Sequence, residues 1–207
     1  MVRIKRILLF ALAQITVGCI DAEQSETPSD VSAQVAPSAS CADLTVGSAF
    51  EDLRACAEQR HAGAQYNLGV IYDFGRGMPE DHAEAVRWYR LAAVQGDARA
   101  QTNLGFMFAT GRGVSKELVE AERWYRLAAE QGHVSAQYNL GVMYASGEGV
   151  PLDIVRAYMW WDVAASQGEE GAQRLKDITE EEMTREQIAE AERLSREWIE
   201  EHLPGGN

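Results

Sequence analysis

A nine-residue phrase that returns at a fixed step constrains this chain more than any other feature. Ala64-Gln65-Tyr66-Asn67-Leu68-Gly69-Val70-Ile71-Tyr72 comes back as Ala136-Gln137-Tyr138-Asn139-Leu140-Gly141-Val142-Met143-Tyr144, with a looser copy from Ala100 to Phe108 midway. Gln65, Gln101 and Gln137 therefore stand 36 residues apart. A second phrase keeps the step: Val86-Arg87-Trp88-Tyr89-Arg90-Leu91-Ala92-Ala93, then Glu122-Arg123-Trp124-Tyr125-Arg126-Leu127-Ala128-Ala129. Self-similarity at this period marks a stack of supersecondary units, none of which can bury its apolar face alone.

Each unit reads as two helices. Asp81 with Glu84 forms a capping-box pattern at the start of one helix, and Asp97 stands ready to cap the next. Gly96, Gly132 and Gly168 stop the first helices; Gly75, Gly111 and Gly147 stop the second ones. Leu68, Ile71 and Tyr72 share a face at helical spacing, as do Val86, Tyr89 and Ala93. Small residues at Ala64, Gly69 and their copies let helices approach closely, and Trp88, Trp124 and Trp160 recur as wedges between units. Aligned on the period, the units cover 46–81, 82–117 and 118–153, with a degenerate fourth over 154–177. Beyond them, Thr179 with Glu182 and Thr184 with Gln187 read as helix starts. An apolar stripe of Ile188, Ala191, Leu194, Trp198 and Ile199 gives residues 178–207 a capping helix. The expected fold is all-α: a right-handed α-solenoid of helix-turn-helix repeats with a C-terminal cap.

Ala121-x-x-Trp124-Tyr125-x-x-Ala128-Ala129-x-x-Gly132, followed by Ala136 to Tyr144, resembles the Sel-1-like repeat family, relatives of the tetratricopeptide repeats. The resemblance spans about residues 49 to 175. It departs at the ends, with Asp52 and Arg60 in place of Trp and Gly and Arg174-Leu175-Lys176 in place of Asn-Leu-Gly, as terminal caps of a solenoid require. It implies a protein-interaction scaffold or adaptor, with the first helices lining a concave face.

The N-terminus reads as an export signal over 1–18: Arg3, Lys5 and Arg6, then an apolar run from Ile7 to Val17 too short to span a bilayer as a mature helix. Thr16-Val17-Gly18-Cys19 resembles a bacterial lipobox, which would make Cys19 a lipidated first residue; cleavage after Ala22 and a retained anchor are the alternatives. Residues 19–40 read as a flexible tether, rich in Ser, Pro, Gln and acidic residues and without period. The expected location is the periplasm, with any membrane attachment through Cys19. Cys41 and Cys56 are candidates for a disulfide in an oxidising compartment; alternatively Cys56 is a small buried residue standing where Ala92 and Ala128 stand.

A formal net charge of −13 argues against nucleic acid, which demands a basic stripe. No motif for a nucleophile, a phosphate loop or a zinc helix is present, and neither metal nor cofactor is expected. His61 and His133 share one repeat position and read as turn residues rather than ligands. The acidic run 180–182 reads as helix-start charge rather than a calcium site. The sharper candidate is a basic ladder: Arg87 and Arg90 align with Arg123 and Arg126. Guanidinium groups grip carboxylates in bidentate fashion, so the ladder suits an acidic or C-terminal peptide. The same arginines also fit intrahelical pairing with Glu84, Glu120 and Glu122. Protein or peptide binding is thus the expected function; cell-wall (peptidoglycan) binding is the alternative, and a β-lactamase-like hydrolase a more distant one.

Overall fold

A computed structural model describes residues 41–202. The expected signal, Cys19 and the expected tether lie outside the described residues. After a short 3-10 turn at Cys41–Asp43, the helices are α1 (Phe50–Glu58), α2 (Ala62–Phe74), α3 (His82–Ala93), α4 (Ala98–Thr110), α5 (Leu118–Glu130), α6 (Val134–Ser146), α7 (Ile154–Ser166), α8 (Glu170–Glu180) and α9 (Arg185–His202). No strand occurs among the described residues. Each helix from α1 to α8 packs on its neighbours in chain order, which is the architecture of an α-solenoid.

The helix starts follow the capping chemistry with one difference. The Asp81 carboxylate accepts from the Ala83 and Glu84 backbone N–H groups, and Asp97 accepts likewise from Arg99 and Ala100. Glu84, however, does not complete the box. Its carboxylate turns to Arg87, while the Asp81 N–H donates to the Tyr72 carbonyl of the preceding helix. Near the C-terminus, Thr184 and Gln187 do form the reciprocal pair, at 2.9 and 3.3 Å. Thr179 instead lies buried inside α8, so no helix begins there.

The small residue in the second helices answers a large ring from the next unit. A Cβ on Gly69 would lie 2.4 Å from the Tyr89 ring, on Gly105 2.8 Å from Tyr125, and on Gly141 2.3 Å from the Trp161 indole. Glycine is therefore a packing requirement at these three places. Trp88 leaves α3 to pack with Leu53, Cys56, Ala57, Ala64, Leu68 and Ile71, so it wedges onto the unit before its own. Cys56 of this cluster is bonded to Cys41, with the two Cα atoms 5.6 Å apart. At the other end α9 abandons the stacking order and folds across α7. There Trp198 meets Trp160 edge-on with ring centres 5.7 Å apart, and Ser195, fully buried, hydrogen-bonds Asp162.

A polar ladder runs along the stack through glutamines. Gln65, Gln101 and Gln137 are 0–4% exposed. Each side-chain amide donates to a carbonyl eight residues back, on Ala57, Ala93 and Ala129 respectively, near the ends of the first helices. Each side-chain oxygen then accepts from the glutamine 30 residues on: Gln95 at 2.6 Å, Gln131 at 2.7 Å and Gln167 at 2.7 Å. These helix-end carbonyls, which also accept the backbone N–H of Arg60, Gly96 and Gly132, thereby gain a second partner, and successive units are tied in register.

Candidate functional site

The arginines of the first helices sit on exposed surface at repeated positions. Arg87 lies 3.1 Å from Glu84 and over the Trp88 ring; Arg123 lies 3.6 Å from Glu120 and over Trp124. Arg126 pairs with Glu122 and also donates to the Tyr144 hydroxyl at 3.0 Å. Arg90 has no such carboxylate, because Val86 stands where Glu122 stands. Its guanidinium carbon is 5.8 Å from the centre of the Phe108 ring, and no ion pair to it occurs among the described residues. The three intrahelical pairs are thus formed, and Arg90 is set apart from them. The exposed Arg87 and Arg123 pairs contribute about 0–1 kcal/mol each, so they yield readily to a partner's carboxylate, whereas Arg126 is held more firmly because Glu122 is 13% exposed. Leu91 and Leu127, 39% and 37% exposed, follow Arg87 and Arg123 by one helical turn and add an apolar strip.

The junction between α2 and α3 carries a charged cluster found at neither later junction. Asp73, 4% exposed, has its carboxylate 3.3 Å from the Arg112 guanidinium and accepts from the Tyr89 hydroxyl at 3.3 Å. Its Oδ1 lies 3.2 Å from His82 Nδ1, although neither atom makes an aligned hydrogen bond. His82 Nε2 accepts from Arg112 Nε at 3.3 Å, which places the ring hydrogen on Nδ1, facing Asp73. Glu80 approaches the same ring at 3.4 Å. Burial pushes the Asp73 carboxyl above its ordinary range, even though Arg112 and His82 pull the other way. One repeat later the matching residues are Ala109, Leu118 and Glu148, and they border an open recess of about 250 Å³ that Lys116 and Tyr125 also line.

A second recess, of about 260 Å³, opens between the end of α1 and the face of α3. It is lined by Arg60, Arg87, Trp88, Leu91, Val94 and Gln95, among others. Arg60 has φ +69°, and no other non-glycine residue among the described ones takes a positive φ. It occupies the repeat position of Gly96, Gly132 and Gly168, whose φ values are 93°, 84° and 95°. The departure visible in the sequence therefore keeps the backbone of the other units and places an arginine upon it.

The matching family model is the Sel1 repeat, over residues 62–97, 98–133 and 134–169. The chain belongs to the Sel1 repeat family. The matched Sel1 units begin at α2, α4 and α6, so they keep the 36-residue step with a phase that opens on the second helix of each pair. Sel1 repeat proteins are in general protein–protein interaction scaffolds. Among solved structures, a protective antigen present in uropathogenic Escherichia coli strains and displaying an SLR fold is 42% identical, with a TM-score of 0.70. The alignment covers 74% of this chain and 33% of that one, so the present chain spans about a third of that relative. A Sel1 repeat protein from Oxalobacter formigenes is 41% identical with a TM-score of 0.57, over 62% of this chain and 96% of its own. No curated protein matches the sequence.

Other expected sites are placed as follows. His61 and His133 precede α2 and α6 without capping them through their side chains, and His133 Nδ1 lies 3.1 Å from Thr102 Oγ1 of the neighbouring second helix. Among the described residues no acidic, His or Cys group is arranged to hold a metal ion. Sequence reasoning missed the Asp73–His82–Arg112 cluster. Its signal was present, since Asp73 and His82 break a repeat position that is Ala or Leu in the next copy.

Proposed function

We propose that this protein is an adaptor of the bacterial cell envelope, exported by residues 1–18, tethered through a lipidated Cys19, and binding an acidic segment of a partner protein along its first helices. The observation that carries the reading is the recurrence, at equal positions, of an exposed arginine followed by an exposed leucine: Arg87 with Leu91, and Arg123 with Leu127. On a chain of net charge −13, a strip with this chemistry suits a ligand of opposite sign that also offers apolar side chains. Arg90, free of an intrahelical carboxylate, is the first to be engaged.

The test is affinity capture of envelope proteins on the full-length chain, beside a variant with Arg87, Arg90, Arg123 and Arg126 changed to Ala. A partner retained by the parent, lost by the folded variant and released by salt supports the reading. Equal capture by both would remove the ladder from the account. Sedimentation of the parent with purified peptidoglycan, and no protein capture, would favour the cell-wall alternative.

A further inference from the structure

We propose that the recess between α1 and α3 is the anchoring subsite for the C-terminal residue of the partner polypeptide. The terminal carboxylate lies on Arg60 and Arg87, and the terminal apolar side chain on Leu91 and Val94. This rests on the adaptor reading and narrows it from an acidic segment to a chain end.

The backbone at Arg60 is strained. A left-handed backbone is strained for a residue bearing a Cβ, and the other three copies avoid that strain with glycine. Space is not the constraint, because a Cβ at Gly96 or Gly168 would meet nothing within 4 Å. The strained residue lines the recess together with Arg87, so two guanidinium-bearing side chains belong to it. Glu58, which also lines the recess, is engaged by Arg54 at 3.0 Å, and no ion pair to Arg60 occurs among the described residues; Arg87 is held by Glu84 at 3.1 Å in an exposed pair that an outside carboxylate can displace.

The lining residues add a second departure from the repeat. Val94 is 65% exposed, where the matching positions hold the polar residues Glu130 and Ser166. The Trp88 indole N–H, also on the lining residues, is buried without a hydrogen-bond partner. A recess of about 260 Å³ takes roughly one residue. A chain end carries its carboxylate and its side chain on a single Cα, so it presents both groups in that space with only one backbone arm to lead out. An internal Asp or Glu has two arms to lead out and offers no apolar group beside its carboxylate.

The experiment measures binding of N-terminally fluorescein-labelled hexapeptides with a randomised interior and a C-terminal leucine, as free acid and as C-terminal amide, to the full-length protein. The free acid is expected to bind about tenfold more tightly than the amide. Arg60→Gly abolishes that difference while raising the melting temperature by about 2 °C, because it removes strain. Arg87→Ala abolishes the difference as well. Equal binding of acid and amide, no binding of either, or a preference retained by Arg60→Gly overturns the proposal. An internal acidic peptide that still binds the parent, and is lost on substitution of Arg90, Arg123 and Arg126, would show that the adaptor reading survives without it.

Discussion

The side-chain amide of Gln131 donates to the side-chain oxygen of Gln101 at 2.7 Å, across the seam where α5 packs on α4. Gln101 in turn donates to the Ala93 carbonyl at 3.1 Å. One buried glutamine thus serves two units at once. Changing Gln101 to Leu removes both bonds, leaving the Ala93 carbonyl with only the Gly96 N–H and the Gln131 amide with only the Leu127 carbonyl. The expected loss is about 2 kcal/mol, read from the midpoint of urea denaturation at constant slope.

Gly141 lies against Trp161 with no room for a methyl group, and the Trp161 indole also donates to the Tyr138 carbonyl at 3.2 Å. Gly141→Ala is expected to destabilise the stack by about 2–3 kcal/mol, against the gain of about 1 kcal/mol that the same change would bring at an exposed helix site. Thermal unfolding of this variant beside Ser135→Ala, at the half-buried second residue of α6, checks it.

The Cys41–Cys56 disulfide closes a loop of 15 residues around the first unit. Replacing both cysteines by Ser is expected to cost about 3 kcal/mol. The loss should be concentrated in α1 and α2, where hydrogen exchange would register it while α6 and α7 keep their protection.

The fold was legible because its periodicities coincide. Apolar positions recur at helical spacing inside a 36-residue step, and the glycine stops recur with them. The final helix was legible from its own stripe, although its docking across α7 depends on Trp198 meeting Trp160 rather than on any repeat. Less legible were the relations between units. The Gln65–Gln95 type of pair is split over 30 residues, and nothing in either helix alone says the two side chains meet. The Asp73 cluster joins residues up to 39 apart in sequence, and only the stacked geometry brings Arg112 back onto Asp73. Arg60 showed as a departure from pattern; that it kept the left-handed backbone was a matter of dihedral angle.

Asp73 supplies a prediction in pH. Its folded-state pKa is raised, so its contribution to stability is fullest below the ordinary carboxylate pKa and is lost as pH rises through the folded value. The groups around it are Arg112, His82, Tyr89 and, through His82, Glu80. Relative to Asp73→Asn, the parent protein is therefore expected to gain stability as pH falls from about 7 to about 4. Urea midpoints of the two proteins across that range give the sign directly; a difference independent of pH would remove burial as the dominant influence on this carboxyl.

Partners are expected to bind along the arginine–leucine strip of the first helices. Site-specific photo-crosslinking tests it most directly, with a photoreactive residue placed in turn at Leu127 on the strip and at Ile178, which is 40% exposed on α8. The account predicts a protein adduct in envelope extracts from position 127 that vanishes when Arg87, Arg90, Arg123 and Arg126 are Ala, and none from position 178. Adducts of equal yield at both positions, or an adduct at 127 that survives loss of the arginines, would contradict it.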